Sequence, residues 1–400
     1  MSRISRCSVR ALLTLMVLAG LAFATSGVAL SAGPLYTQKQ RVGVSFVGQV
    51  AVRTPEGGPV EYVTQTISEY NLAPLQVGWY SDFRYDAAPA MPADGAIEYA
   101  QLLRVGDNKW PPNQTALRAA VQARPGSLWM IGNEPECPNQ ERLTPETYAE
   151  RFHEARALIR GWDPNAKIAI GGIVEPSKLR YRWLERLLAA YQARYGVPMT
   201  DHIDVWNIHV QILSEWGPDS EGGYDYTSGA GIPVGFDTLT PAELGPDVYD
   251  IPFTEYANVE FFKTKVRGFR EWMAQQGEAD KPLIISEMGV LYPSDYIAEG
   301  DTPEKAKENG DRLIEAFIRE SFAWMLSAND TQIGYASDEH RLVQRWLWFS
   351  LNYSFYADDN IEGLNGSLYD YRTKRLTRFG QTLFAVQNAA RSVFLPWVSR

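Results

Sequence analysis

The chain repeats one rhythm from about residue 40 to its end: a short apolar, β-rich run, then a stretch with helical spacing. Eight such runs occur, at Arg41–Val50, Leu75–Arg84, Glu98–Val105, Ser127–Pro135, Lys167–Pro176, Asp204–Leu213, Pro282–Val290 and Arg345–Ser354. They are nearly continuous in apolar residues, as strands covered on both faces of a parallel sheet must be. Helical patterns fall at Thr144–Arg160, Trp183–Tyr195, Phe261–Gln276, Pro303–Leu326 and Phe379–Phe394. In the first, Thr144 is placed to cap, Pro145 takes the first helical position, and Tyr148, Phe152, Ala155 and Ile159 recur every three to four residues. Eight strands alternating with helices predict an α/β fold, a (β/α)8 TIM barrel, as a single domain over residues 40–396. A doubly wound sheet is the alternative. It would carry a Gly-rich turn after its first strand, which Gly48-Gln49-Val50 is not.

Residues 1–32 read as a targeting segment. Three arginines and no acid precede the apolar run Ala11–Ala24, and small residues follow through Ala32. The run itself is shorter than the ~20 residues of a spanning helix. Extended to Ala32 it could anchor the chain, so the expectation is a cleaved signal peptide or an N-terminal anchor. The protein is then secreted or extracytoplasmic, and meets a membrane only if the segment is uncleaved. Net charge is −10, and loss of the three arginines makes it −13. That balance argues against a duplex nucleic-acid partner, which calls for a basic footprint. After cleavage Cys137 is the one cysteine left, so no internal disulfide is expected. A monomer is expected.

In a barrel, catalytic side chains sit at the C-terminal ends of the strands. Two apolar strands here finish in a glutamate: Trp129-Met-Ile-Gly-Asn133-Glu134-Pro135 and Leu283-Ile-Ile-Ser-Glu287-Met-Gly289. A carboxylate closing an apolar strand is costly to bury and is seldom there for packing alone. Two of them facing across one mouth is the arrangement glycoside hydrolysis uses. Glu136 is a rival acid if the strand runs longer. Aromatics are 12% of the chain, with 12 Trp and 21 Tyr, which suits stacking on flat, polar-rimmed ligands. With four histidines and no close Cys/His/carboxylate spacing, no metal and no cofactor are expected.

These motifs resemble the clan A glycoside hydrolases, (β/α)8 enzymes that cleave β-glycosidic bonds with retention. The resemblance implies that Glu134 is the acid/base and Glu287 the nucleophile. It implies that Asn133 binds the sugar 2-hydroxyl and that His209, closing Trp206-Asn-Ile-His209, lies near the nucleophile. It offers Trp348 or Trp346 as a sugar platform on strand eight. Gly78-Trp-Tyr80 and the overall spacing look most like the β-1,3-glucanases of glycoside hydrolase family 128. The chain differs from them at Ser286-Glu287-Met288-Gly289 and in a long insert after strand six.

Around this pair, Arg84 closes strand two and is placed to hold Glu287 ionised, and Tyr80 to hydrogen-bond it. The charge on Glu287 is expected to keep Glu134 protonated. Trp110, after strand three, and Trp216, after strand six, are candidate sugar platforms. Ser214–Asn258 is too long and aperiodic for a plain connection and is expected over the barrel mouth. The expected activity is hydrolysis of a β-linked oligo- or polysaccharide, β-glucanase- or mannanase-like. The alternative is a non-catalytic or transglycosylating carbohydrate-binding barrel of the cell surface.

Overall fold

Each of the eight apolar runs contains a strand in the computed structural model, which describes residues 34–53, 60–215, 217–218, 224–225, 229–236, 251–353 and 364–392. The strands are β1 (Val42–Ser45), β2 (Trp79–Ser81), β3 (Glu98–Tyr99 and Gln101–Leu103), β4 (Leu128–Asn133), β5 (Lys167–Gly172), β6 (Trp206–Gln211), β7 (Leu283–Gly289) and β8 (Arg345–Trp348). The ladders are parallel, and each strand pairs with the next. The parallel bridges Ala169–Val205 and Ile173–Ile208 join β5 to β6, and β8 pairs back onto β1. The ring is closed: a (β/α)8 barrel. The predicted segment 1–32 lies outside the described residues.

Besides the one-turn helices Gln38–Arg41 and Ser294–Ile297, the helices among the described residues are α1 (Gln114–Ala123), α2 (Pro145–Trp162), α3 (Lys178–Tyr195), α4 (Val259–Gln275), α5 (Pro303–Ser327) and α6 (Arg378–Ser392). Thr144 caps α2 as expected, its side chain accepting from the Thr147 amide. Helix α3 starts five residues before the predicted Trp183, because Ser177 supplies the cap by accepting from the Arg180 amide. Among the described residues no α-helix joins β1 to β2 or β2 to β3. A hairpin (Gln49–Arg53 with Val60–Thr64) and two 3-10 turns occupy the first connection. The apolar run 41–50 is therefore not one strand. It leaves the barrel after Ser45 and enters the hairpin at Gln49.

Alternation along the strands divides the core. Trp79, Leu102, Met130, Ala169, Ile284 and Leu347 fill the barrel interior, while Val42, Val44, Trp346 and Trp348 join the larger layer beneath the helices. Trp79 fits inside because β1 offers Gly43, where a Cβ would sit 2.6 Å from the indole and 2.5 Å from Leu347. Arg345 stacks over Trp79, 4.3 Å from its centroid, and pairs with Glu98, closing the floor. The upper end is left to polar residues.

Candidate active site

Glu134 follows the last residue of β4 and has φ of +48°, a left-handed conformation that a non-glycine residue adopts at a cost. Its amide donates to the Gly172 carbonyl at 2.9 Å, which holds the turned backbone against β5. Glu287 is aimed differently. The register of β7 slips between Ile285 and Glu287 against β6, and between Ile285 and Met288 against β8. Such an irregularity re-aims the side chain that follows it. Both carboxyl groups reach one cleft at the C-terminal end of the barrel and are nearly buried.

His209 on β6 lies between them. Its Nδ1 is 2.8 Å from Glu134 Oε1 and its Nε2 is 3.6 Å from Glu287 Oε1. Ligand atoms of the three residues lie within 4.8 Å of one another. Gly172 makes room for the ring, since a Cβ there would lie 2.5 Å from His209 Cδ2. Gln211, two residues on along β6, donates from Nε2 to Glu287 Oε2 at 3.2 Å. Asn133, also buried in the cleft wall, has an Oδ1 without a hydrogen-bond partner.

Burial pushes Glu287 up to about 7. The neighbouring Glu134 adds to the rise, and His209, Arg104 and the Gln211 hydrogen bond oppose it. Burial alone would lower His209, but Glu287 and Glu134 outweigh it and raise the imidazole above its ordinary value. Against the expectation that Glu287 stays charged, desolvation is the largest effect and pushes its carboxyl up, while His209 opposes it.

Several predicted contacts are also corrected. Arg84 does not reach Glu287. Its Nε pairs with Asp82 at 2.8 Å and its side chain is 64% exposed. Tyr80 donates to the Ala90 carbonyl instead of to Glu287. Trp346 and Trp348 point outward from the barrel. Trp346 packs on Phe322, while Trp348 packs on Phe317 and Phe322 and donates to the Gly366 carbonyl at 2.7 Å. Neither offers a face to a sugar. Trp110 is half-buried against the core and does not line the cleft. Trp216 lies outside the described residues. The close acid–histidine cluster that sequence spacing did not show is made by the fold, from three strands. Its donor set would also suit a metal ion.

Three features escape the sequence reading. Phe349, the residue after β8, lines the cleft where a tryptophan was expected. Arg104 directly follows β3 as Glu134 follows β4, and that same signal, a charge ending an apolar strand, marks it. Its Nε pairs with Glu141 at 2.8 Å. The third is a buried ion network. Arg180 of α3 pairs with Glu136 at 3.0 Å and Glu215 at 2.8 Å, which removes Glu136 as a rival acid. It also donates to the carbonyls of Ala230 and Gly231. That ties part of the insert after β6 to the barrel, and Gly229 of this insert lines the cleft as expected. The cleft measures about 480 Å³.

No protein-family model matches the chain, and no curated protein does. Solved structures do. A mutant of a GH128 (subgroup I) endo-β-1,3-glucanase from Amycolatopsis mediterranei is 14% identical, with a TM-score of 0.50 over 87% of this chain and 100% of that one. A glucosidase from Croceicoccus marinus is also 14% identical, with a TM-score of 0.50 over 90% of this chain and 69% of that one. The chain has the TIM-barrel fold found in these glycoside hydrolases.

Proposed function

We propose that the chain is an exported retaining glycoside hydrolase acting on a β-linked glucan. The observation that carries the reading is the pair Glu134 and Glu287, brought by β4 and β7 to one mouth, with oxygens within 4.8 Å. Retaining enzymes hold their two carboxyl groups ~5–5.5 Å apart, whereas inverting ones need ~6.5–9.5 Å for an intervening water. In the first step Glu287 attacks the anomeric carbon. The glycosidic C–O bond breaks, and the departing oxygen takes the proton of Glu134. In the second, Glu134 takes a proton from water, the water oxygen bonds to the anomeric carbon, and the ester to Glu287 breaks. Asn133 accepts from the sugar 2-hydroxyl through its unpartnered Oδ1.

β-1,3-Glucan is the first substrate to try, because the Amycolatopsis barrel is an endo-β-1,3-glucanase. Export rests on the apolar run Ala11–Ala24. The test is reducing-end release from β-1,3-glucan, β-1,4-glucan, mannan, xylan and galactan, with Glu134→Ala and Glu287→Ala beside wild type. The anomer first released is read by NMR. Release of the β-anomer that both substitutions abolish is expected. Activity surviving in Glu287→Ala would remove it as nucleophile. Silence across the panel from a folded protein would favour the binding or transglycosylating alternative.

A further inference from the structure

A second concavity of about 510 Å³ opens beside the first, between the β1–β2 hairpin and the end of β2. The two share Val47 and Phe83 as lining residues. Both volumes fall in the ~300–1,000 Å³ range of small-molecule sites. The second contains neither carboxylate. Its wall is polar instead, with Gln49, Thr64, Thr66, Asp82 and Arg84 among its residues.

Two features show that this wall is organised. The first is a hydrogen-bonded chain. Tyr99 donates to Asp82 Oδ1 at 2.6 Å, and Asp82 Oδ2 accepts from Arg84 Nε at 2.8 Å. Asp82 is nearly buried, so it is a fixed post from which the exposed Arg84 guanidinium extends into the basin. Because Asp82 offsets its charge, the pair presents directed donors without a strong field, which suits a neutral, hydroxyl-rich ligand better than an anion. The second is Phe83 itself, with φ of +65°. A bulky residue in the left-handed region is costly and is kept where the surrounding structure imposes it. This conformation sets the ring on the ridge between the basins, edge-on to Phe349 with centroids 6.1 Å apart. An apolar aromatic face rimmed by polar groups matches the apolar face of a pyranose ring.

We propose that the second basin is a distal subsite that binds further sugar units of the chain being cleaved. The Val47–Phe83 ridge joins it to the carboxylates in one groove. The inference rests on the proposed function and deepens it: the substrate is an oligomer long enough to cross the ridge, and Arg84 acts there rather than on Glu287.

The test compares affinities of a linear β-1,3-gluco-hexasaccharide and its disaccharide by calorimetry, in Glu287→Gln protein with and without Arg84→Ala. Wild-type protein is assayed in parallel for release from the hexasaccharide. The inference expects the hexasaccharide-to-disaccharide affinity ratio to fall about tenfold with Arg84→Ala, roughly the loss of one charge-assisted hydrogen bond. A ratio that does not move, with sugar released by wild type, overturns the distal subsite and leaves the proposed function standing. No release and no binding of either length overturns both. Should Arg84→Ala fail to fold, Gln49→Ala, at an exposed position, reads the same ratio.

Discussion

Nδ1 of His209 lies 2.8 Å from Oε1 of Glu134, while the other nitrogen of the same ring faces Glu287 at 3.6 Å. One buried imidazole thus sits between the two carboxyl groups that the proposed mechanism uses. The two carboxyl groups raise its pKa, and its positive charge in turn pulls the proton affinity of Glu287 down.

The pH profile follows from this coupling. In the proposed mechanism Glu287 must be ionised, and burial pushes it up to about 7, so kcat/KM is expected to rise through about pH 7. His209→Gln removes the charge and keeps a hydrogen-bonding side chain. Without the cation Glu287 binds its proton more tightly, and the acid limb moves up by on the order of one pH unit. A limb that stays in place in His209→Gln would reduce His209 to packing.

Asn133 gives a second prediction. Its buried Oδ1 lacks a partner, and hydrogen bonds to the 2-hydroxyl strengthen as the oxocarbenium-like transition state forms. Asn133→Ala is expected to lower kcat by about 10²-fold, with a smaller change in KM. The same loss on a 2-deoxy substrate, which has no hydroxyl to lose, would contradict that role.

Much of this arrangement is legible in the chain, for a physical reason. Buried parallel strands are written as apolar runs, and a charge ending such a run is conspicuous. Glu134, Glu287 and His209 stand out because each lies in the C-terminal half of one. What was not legible depends on parity and backbone irregularity. Trp346 and Trp348 differ from Leu347 and Phe349 by a single step of a two-residue period, so the run alone does not say which pair faces the inside of the barrel. Arg84 is turned aside by the left-handed Phe83 before it, and Glu287 is aimed by a register slip, neither of which leaves a periodic trace. The Arg180 network joins residues from the loop after β4, from α3 and from the insert, and their separation in sequence hides it.

Stability should fall as pH rises. Burial raises Glu141, Glu215 and Glu287 each to about 7, against 4.5 for the free side chain. Between those values the folded protein holds more protons than the unfolded chain, so raising pH favours unfolding. His209 acts in the same direction: its raised pKa gives stability below the unfolded value of 6.5, lost as pH rises through the folded value. Tm by calorimetry is expected to be highest near pH 5 and to drop by several degrees towards pH 8. A Tm that climbs over this window would mean that these carboxyls are better paired than their burial implies.

Arg180 carries the largest single structural prediction. It is fully buried, with Glu136 and Glu215 on its guanidinium and two carbonyls of the insert on Nη2. Arg180→Met leaves two buried acids without their cation, a loss of about 3–5 kcal/mol in urea denaturation at pH 8. The loss should shrink towards pH 5, because Glu215 is already raised to about 7 and protonation relieves the unpaired charge. Adding Glu136→Gln and Glu215→Gln should likewise recover part of the stability at pH 8. Activity need not return with it, since the Ala230 and Gly231 carbonyls still lack the donor that ties the insert beside the cleft. Recovered stability without recovered kcat/KM would separate the two duties of this arginine, and full recovery of both would show that it serves the fold alone.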